Sequence, residues 1–236
     1  MRKFNVVILC LLVFSFHLPA QKFKTFENHC GLYYTSMADL QKGKTKELAF
    51  YNFLPGQTVA SIGAQCCHWE AAYAAMTEGV EFYLEDIDSS NFNEKQAMFA
   101  WKYYDSIRGK SMTSSYHLVL GNEKQTLLPD HNFDKILIIN SFHEFEFQKE
   151  MLADIKKKLN PRGMLYIDET LARKSGELHG VCHKRIYLDS ELIDLLKANG
   201  FEYVDALDMK FRKSKPVRNI FAFTVDGSNS HSNSGN

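Results

Sequence analysis

Thiols and imidazoles are concentrated in two short stretches of the sequence. Cys66, Cys67 and His68 are consecutive, and the segment His179–His183 places Cys182 between two histidines. Both stretches lie in predicted loops that leave the carboxyl ends of strands, so together with His143 they could converge on one site. Thiolate and imidazole together favour zinc or copper. However, neither stretch has the ligand spacing of an established metal site, and a disulfide from Cys182 to Cys66 or Cys67 accounts for the same residues. The sequence therefore favours a disulfide or buried free thiols over metal binding or thiol chemistry, and we assign no metal ligand.

His143 is the main candidate for acid–base chemistry. It follows a predicted strand, at an edge of the sheet where a histidine can act as a general base or orient a substrate, because its pKa lies near neutral pH. A hydrogen-bonded structural histidine is the alternative. The sequence contains no Gly-x-Ser-x-Gly elbow for a serine nucleophile and no Gly-x-x-x-x-Gly-Lys phosphate loop, so these two chemistries have no support.

A sharp turn at Gly63 is the predicted ligand site. The segment before it, Val59–Ile62, is short, apolar and β-prone, and the segment from Trp69 onward is rich in alanine and predicts a helix. A strand that turns directly into a helix places backbone N–H groups at the carboxyl edge of the sheet, where open α/β sheets bind their ligands.

Strands and helices alternate along most of the remaining chain, which predicts an α/β fold with a mainly parallel sheet covered on both faces. The last two strands have no helix between them and predict an antiparallel hairpin at one edge. The predicted helices are one or two in Gly31–Phe53 with a break near Gly43, Asn91–Ile107, Gln148–Leu159 with a stop at Asn160–Gly163, and Ser190–Asn199 with Asp189 as its cap. The predicted strands after the first are Val80–Ile87, Tyr116–Leu120, Phe133–Ile139, Met164–Asp168, Phe201–Leu207 and Arg218–Val225.

Composition is that of one globular domain. The chain has 236 residues, of which 45% are hydrophobic and 24% charged, and its formal net charge is zero. A nucleic-acid surface would need a basic stripe, which these numbers do not suggest. We expect a small-molecule partner and no nucleic acid, and the sequence does not predict an oligomeric state.

The amino terminus predicts export. Arg2 and Lys3 precede the apolar run Val6–Phe16, and Pro19-Ala20 supply a cleavage end, so residues 1–20 are typical of a signal peptide. The run is too short for a stable membrane span. We therefore expect a secreted or periplasmic protein with a helical lead-in at 21–54, a domain at 55–226 and a disordered tail at 227–236.

The order and spacing of these segments resemble the class I S-adenosylmethionine-dependent methyltransferases over about residues 45 to 225. The resemblance implies a Rossmann-like three-layer sandwich with a mostly parallel seven-stranded sheet and a carboxyl-terminal antiparallel hairpin. It rests on the segments Pro55–Gly63, Leu84–Asp88, Gly121–Asn122, Leu127–Ile136, Asn140–Phe145, Leu159–Asp168 and Leu195–Phe201.

The same resemblance implies S-adenosylmethionine as cofactor and a set of residues that hold it. Asp86 would accept the ribose hydroxyls, Asn122 would meet the adenine edge, Gly63 and Ala64 would lie under the methionine part, and His143 would face the methyl acceptor. The full cofactor set implied is Gly63, Ala64, Gln65, Asp86, Ile87, Asn122 and Asn140.

The glycine-rich turn departs from the family pattern. Where the family places an acidic residue and then alternate glycines, this chain has Ser61, Gly63, Gln65 and Cys67. Glycine in such a turn allows unusual backbone angles and close approach of a ligand. Two functions therefore stay open. One is methyl transfer to a small molecule, and the other is an exported non-catalytic binding protein with a degraded cofactor site and a Cys/His disulfide or metal cluster.

Overall fold

A computed structural model of the chain describes residues 33–129, 133–209 and 217–226. The predicted signal peptide, the first part of the lead-in and the tail at 227–236 lie outside these ranges, so those predictions stand as they are. No helix among the described residues has the length and apolar character needed to cross a bilayer.

The described residues form five α-helices and seven strands that alternate as predicted. The helices are α1 Met37–Tyr51, α2 His68–Met76, α3 Glu94–Arg108, α4 Gln148–Lys158 and α5 Asp189–Ala198. The strands are β1 Thr58–Ile62, β2 Glu81–Asp86, β3 Ser115–Leu120, β4 Phe133–Ile139, β5 Leu159–Leu171, β6 Phe201–Asp208 and β7 Val217–Val225.

The seven strands form one sheet in the order β3-β2-β1-β4-β5-β7-β6. Neighbouring strands from β3 to β5 are parallel, and β7 runs antiparallel to both β5 and β6. The predicted fold class is confirmed, a mostly parallel seven-stranded sheet with a carboxyl-terminal antiparallel pair. The strand order reverses direction at β1 and β4, so the loops after these strands separate and leave a crevice at the carboxyl edge.

Helices cover both faces of the sheet and divide the core into two apolar clusters. Tyr73 of α2 and Trp101 of α3 pack with Phe82 on one face, and Ile155 of α4 and Leu196 of α5 pack on the other. Burial of apolar side chains on both faces explains why the central strands are almost continuously hydrophobic.

The predicted break near Gly43 is wrong, because α1 continues through this residue. A Cβ atom at position 43 would lie 2.5 Å from Cε1 of Tyr34. The glycine therefore serves close packing of the Tyr34 ring against the helix, at the cost of some helix propensity.

Two other local predictions also fail. Residues 160–163 were expected to separate a helix from a strand, but they form an irregularity inside β5, where Leu159 pairs with Phe133 and Met164 with Lys135. Asp189 was expected to cap the last helix, but it is the first helical residue of α5, and Leu188 occupies the cap position.

Buried charges lie between α1 and the sheet. Lys44 and Glu47 of α1 form an ion pair, and Tyr73 donates a hydrogen bond of 2.6 Å to Glu47. Arg218 of β7 donates two hydrogen bonds to the Asp168 carboxylate at 2.5 and 2.6 Å. Each buried charge thus has an opposite charge beside it, as burial requires.

The Asp168–Arg218 pair should be essential to stability. We expect Arg218→Met to lower the free energy of unfolding by about 3–5 kcal/mol, because it leaves the Asp168 carboxylate buried without a counter-charge. Urea denaturation followed by circular dichroism measures this. The matched control is Arg185→Met, which removes a more exposed pair with Glu191 and should cost less than about 1 kcal/mol. Equal effects of the two substitutions would contradict the prediction.

Candidate functional site

A cleft of about 590 Å³ lies at the carboxyl edge of the sheet, a size typical of small-molecule sites. It contains side chains or backbone from the loops after β1, β2, β3, β4 and β5. Its lining includes Gly63, Ala64, Gln65, His68, Glu70, Glu85, Asp86, Ile87, Asn122, Asn140, Ser141, Glu144 and His179. A second cavity, of about 610 Å³, is at the opposite edge beside Lys135 and Arg162. Only the first contains the turn after β1.

The backbone of the turn after β1 is left-handed at three alternate positions. The φ angles are 75° at Gly63, 46° at Gln65 and 59° at Cys67. The family that the sequence resembles has glycine at these three positions, whereas this chain has glycine only at the first. At Gly63 no other residue fits, because a Cβ atom would lie 2.5 Å from Oγ of Ser141. The turn therefore has left-handed backbone angles at three alternate positions, of which only one is glycine.

This turn is held in place by hydrogen bonds that its backbone N–H groups donate to acceptors on β2. The backbone N–H groups of Gly63 and Ala64 both donate to the carbonyl oxygen of Glu85 at 2.9 Å. The Gln65 N–H donates to Oδ2 of Asp86 at 2.8 Å, and the Asp88 N–H donates to Oδ1 at 2.8 Å. A carboxylate has about four acceptor positions, so Asp86 can still accept hydrogen bonds from a ligand in the cleft.

Beside Asp86 the cleft has an apolar surface and an amide. Ile87 is 53% exposed although it is a large apolar residue, and it lines the cleft. Asn122, after β3, also lines the cleft, and its Oδ1 accepts the backbone N–H groups of Lys124 and Gln125 at 3.0 Å. Its side-chain oxygen thus fixes a local turn, and its amide nitrogen is the group left to meet a ligand.

Glu70 is a cleft residue that the sequence reasoning did not identify. It lies on α2, is 1% exposed, and its Oε1 accepts a hydrogen bond of 2.6 Å from Oγ of Ser61. Oε2 has no hydrogen-bond partner among the described residues. Burial raises the pKa of Glu70 to about 7. Ser61 occupies the strand position where the family has an acidic residue, so α2 brings a carboxyl group to the same place.

His68, the first residue of α2, also lines the cleft. It is 9% exposed, and neither ring nitrogen has a hydrogen-bond partner among the described residues. Burial, and secondarily the charge of Lys44, lowers the pKa of His68 to about 4. The ring is therefore neutral at neutral pH and offers one N–H donor and one lone pair.

Glu85 is a second buried acid in the cleft. It is 1% exposed, and its Oε1 has no partner among the described residues. Burial, followed by the charge of Asp86, raises the pKa of Glu85 to about 9. The carboxyl group of Glu85 is therefore neutral at neutral pH.

The segment after β4 forms the other wall of the cleft. Asn140 has a φ of 53°, and its Oδ1 accepts a hydrogen bond of 2.9 Å from Thr170. His143 is 4% exposed, and its Nδ1 lies 2.8 Å from Oε1 of buried Glu169. Burial alone lowers the pKa of His143, but the hydrogen bond and charge of Glu169 outweigh it, so the pKa is raised.

Of the two alternatives left open for the cysteines, a disulfide between the two loops is ruled out because Cys182 is a free thiol. Cys182 and Cys67 are free thiols, whereas Cys66 is disulfide-bonded. Cys182 instead lies 3.1 Å from Nδ1 of His179. Cys67 is fully buried in the turn after β1, and burial raises the pKa of its thiol. The two loops do share one cleft, because His68 and His179 both line it.

Comparison with known proteins identifies the fold. No family model and no curated protein matches the chain. Among solved structures, a SAM-dependent methyltransferase from Aquifex aeolicus is 19% identical with a TM-score of 0.58, over 77% of this chain and 89% of that one. A Burkholderia thailandensis 1,6-didemethyltoxoflavin-N1-methyltransferase, with its namesake ligand and S-adenosylhomocysteine bound, is 18% identical with a TM-score of 0.59, over 79% and 78%.

A third similar structure has a different activity. The [4+2]-cyclase SpnF is 15% identical with a TM-score of 0.59, over 80% of this chain and 82% of that one. The chain therefore has the class I S-adenosylmethionine-dependent methyltransferase fold. Because proteins with this fold have more than one activity, the fold alone does not specify the function, which depends on the residues of the cleft.

Left-handed strain at Gln65 gives a first prediction for the site. Gln65 is exposed, so its side chain contributes little packing, while a left-handed non-glycine residue costs about 1–2 kcal/mol. We expect Gln65→Gly to raise the free energy of unfolding by about 0.5–1 kcal/mol relative to Gln65→Ala, after the entropy cost of glycine. Thermal unfolding of the two variants measures the difference. If Gln65→Ala were more stable than Gln65→Gly, a left-handed backbone at residue 65 would be contradicted.

Neutral Glu85 gives a second prediction. Its pKa is raised above the unfolded value, so the folded state binds more protons and stability should fall as pH rises from about 5 to 9. We expect Glu85→Gln to be more stable than wild type at pH 8.5, by on the order of 2 kcal/mol, with a smaller difference at pH 5. Urea denaturation at the two pH values tests this. The same difference in unfolding free energy between Glu85→Gln and wild type at both pH values would refute it.

Proposed function

We propose that this protein binds S-adenosylmethionine in the cleft and transfers its methyl group to a small molecule. The observation that carries the proposal is the left-handed turn after β1 with a carboxyl group at each end, Asp86 on one side and Glu70 on the other. S-adenosylmethionine has three parts that require different surroundings: an apolar surface for adenine, an acceptor for the ribose hydroxyls, and an anion for the methionine ammonium group.

The nucleoside part fits the side of the cleft formed by β2 and β3. Asp86 keeps acceptor positions free for two ribose hydroxyls after it has accepted two backbone N–H groups. Exposed Ile87 supplies an apolar surface for the adenine ring, and the Asn122 amide can donate to its edge. Hydrogen bonds to a charged acceptor are worth about 1.5–3 kcal/mol each, so Asp86 should contribute most to affinity.

The methionine part fits the side formed by the turn and α2. Gly63 has no side chain there, and Oε2 of Glu70 is buried without a partner. A buried polar group without a partner costs about 1–3 kcal/mol, and an ammonium group beside it would remove that cost. The ammonium would also favour the ionised form of Glu70. Neutral His68 can donate its ring N–H to the methionine carboxylate.

The cofactor would supply a methyl group made electrophilic by its positive sulfur. The protein's own contribution would be orientation, because in-line placement of the acceptor is the main source of acceleration in such a reaction. Asn140, Ser141 and Glu144 form the facing wall of the cleft and would position the acceptor. A cleft of about 590 Å³ leaves room for a small molecule as acceptor.

Two substitutions separate the two halves of the ligand. With S-adenosylhomocysteine, we expect Asp86→Asn and Glu70→Gln each to raise the dissociation constant at least about tenfold. With methylthioadenosine, which lacks the amino-acid group, only Asp86→Asn should weaken binding. Isothermal titration calorimetry measures the dissociation constants of the two variants for the two ligands. The control is Glu202→Gln, because Glu202 is exposed on β6 and its substitution should leave both constants unchanged.

Absence of heat with S-adenosylhomocysteine at millimolar concentration, in a folded protein, would exclude the proposal. The alternative would then be a non-catalytic binding protein on the same fold. If Glu70→Gln weakened both ligands equally, the assignment of the methionine end to Glu70 would be wrong, although cofactor binding would stand.

A further inference from the structure

A cluster of two imidazoles and one thiol lies beside the cleft, where the segment after β4 meets the loop after β5. His143, His179 and Cys182 each offer one ligand atom, and these atoms all lie within 4.8 Å of one another. The ring centroids of the two histidines are 4.6 Å apart, and His179 Nδ1 is 3.1 Å from Cys182 Sγ. This cluster has no part in the proposed cofactor site.

The orientation of His143 is fixed by a buried carboxylate. Both oxygens of Glu169 accept hydrogen bonds from backbone N–H groups, one from His143 at 3.1 Å and one from Thr170 at 2.9 Å, and Oε1 also lies 2.8 Å from Nδ1 of His143. With Glu169 Oε1 as the acceptor beside Nδ1, the tautomer that this geometry favours carries its proton on Nδ1 and leaves the lone pair on Nε2. This is the arrangement that orients histidine ligands in metal sites.

Nε2 of His143 is the unsatisfied atom of the cluster. The side chain is fully buried, and Nε2 has no hydrogen-bond partner among the described residues. The Glu144 carboxylate lies 3.8 Å from Nε2, beyond hydrogen-bond distance. A buried lone pair without a partner is unfavourable, and a cation bound at this position would satisfy it.

A short hairpin brings the other two side chains to His143. Leu178 pairs with Arg185, and the backbone N–H of His179 donates to the carbonyl of Lys184 at 2.7 Å. Cys182 lies within this hairpin and is a free thiol. By contrast, His183 in the same hairpin is exposed and has a left-handed φ of 56°, so it provides an internal comparison for the two clustered residues.

We propose that His143, His179 and Cys182 form a binding site for a zinc-class transition-metal ion. Two imidazoles and a thiolate suit such an ion and do not suit calcium or magnesium, which prefer oxygen ligands. Three protein ligands leave a fourth tetrahedral position open to water or a ligand, as in catalytic zinc sites. His179 and Glu144 both line the cleft, so this position opens onto it.

Metal binding to the whole purified chain tests the site without any cofactor. Zinc is titrated against a chromophoric chelator, and cobalt is substituted to detect the sulfur ligand by its charge-transfer absorption. We expect one ion per chain. Cys182→Ser and His179→Asn should each weaken binding by more than about 100-fold, since even the loss of an outer-shell partner costs 10–100-fold. Cobalt bound to Cys182→Ser should lack the sulfur band.

Two further variants make the result specific. Glu169→Gln should weaken binding by about 10–100-fold, because it removes the acceptor that orients His143. His183→Asn should leave affinity unchanged, which controls for effects of altering the hairpin. Circular dichroism verifies that each variant is folded. A folded wild-type chain without stoichiometric ion, or an affinity that is insensitive to Cys182→Ser and His179→Asn, would overturn the proposal.

Discussion

The candidate site depends on one backbone constraint, the left-handed turn that follows β1. Gly63 must be glycine there, because its φ is 75° and a Cβ atom would collide with Ser141. Two N–H groups of the turn donate to the carbonyl of Glu85, and a third donates to Asp86. The turn is therefore tied to β2 on one side and packed against the segment after β4 on the other, which fixes the floor of the cleft.

Two regions of different chemistry lie on either side of this turn. On the β2 side the cleft offers oxygen acceptors and an exposed apolar residue, Asp86 and Ile87, which suit a nucleoside. Beside the cleft, where the segment after β4 meets the loop after β5, lie the nitrogen and sulfur donors of His143 and Cys182, which suit a transition metal. Parallel strands bring both regions to the same edge of the sheet, and β1 and β4 separate them.

The sequence predicted the architecture well because periodicity and turn signals are local. The bounds of β4 were predicted to the residue, and the closing antiparallel pair was expected from the missing helix. The errors arose where a tertiary contact decided the outcome. Gly43 looked like a helix break but makes room for Tyr34, and residues 160–163 looked like a stop but lie inside β5.

The site was harder to predict because its members are distant in the sequence. Glu70 reaches Ser61 of β1 from the next helix, and nothing in its local sequence signals this contact. His143 is separated from His179 and Cys182 by the whole of α4 and β5, so no ligand spacing could reveal the cluster. For the same reason the sequence left a Cys182 disulfide and free thiols both open, since pairing depends on loop geometry.

A crystal structure of the protein grown with S-adenosylhomocysteine would show whether the left-handed turn holds the cofactor although only one of its three left-handed residues is glycine. We expect ribose hydroxyls within hydrogen-bond distance of Asp86 and the ligand's ammonium group beside Oε2 of Glu70, with the turn at residues 63–67 unchanged. A nucleoside bound elsewhere, or a Gln65 side chain occupying the place of the methionine part, would contradict it.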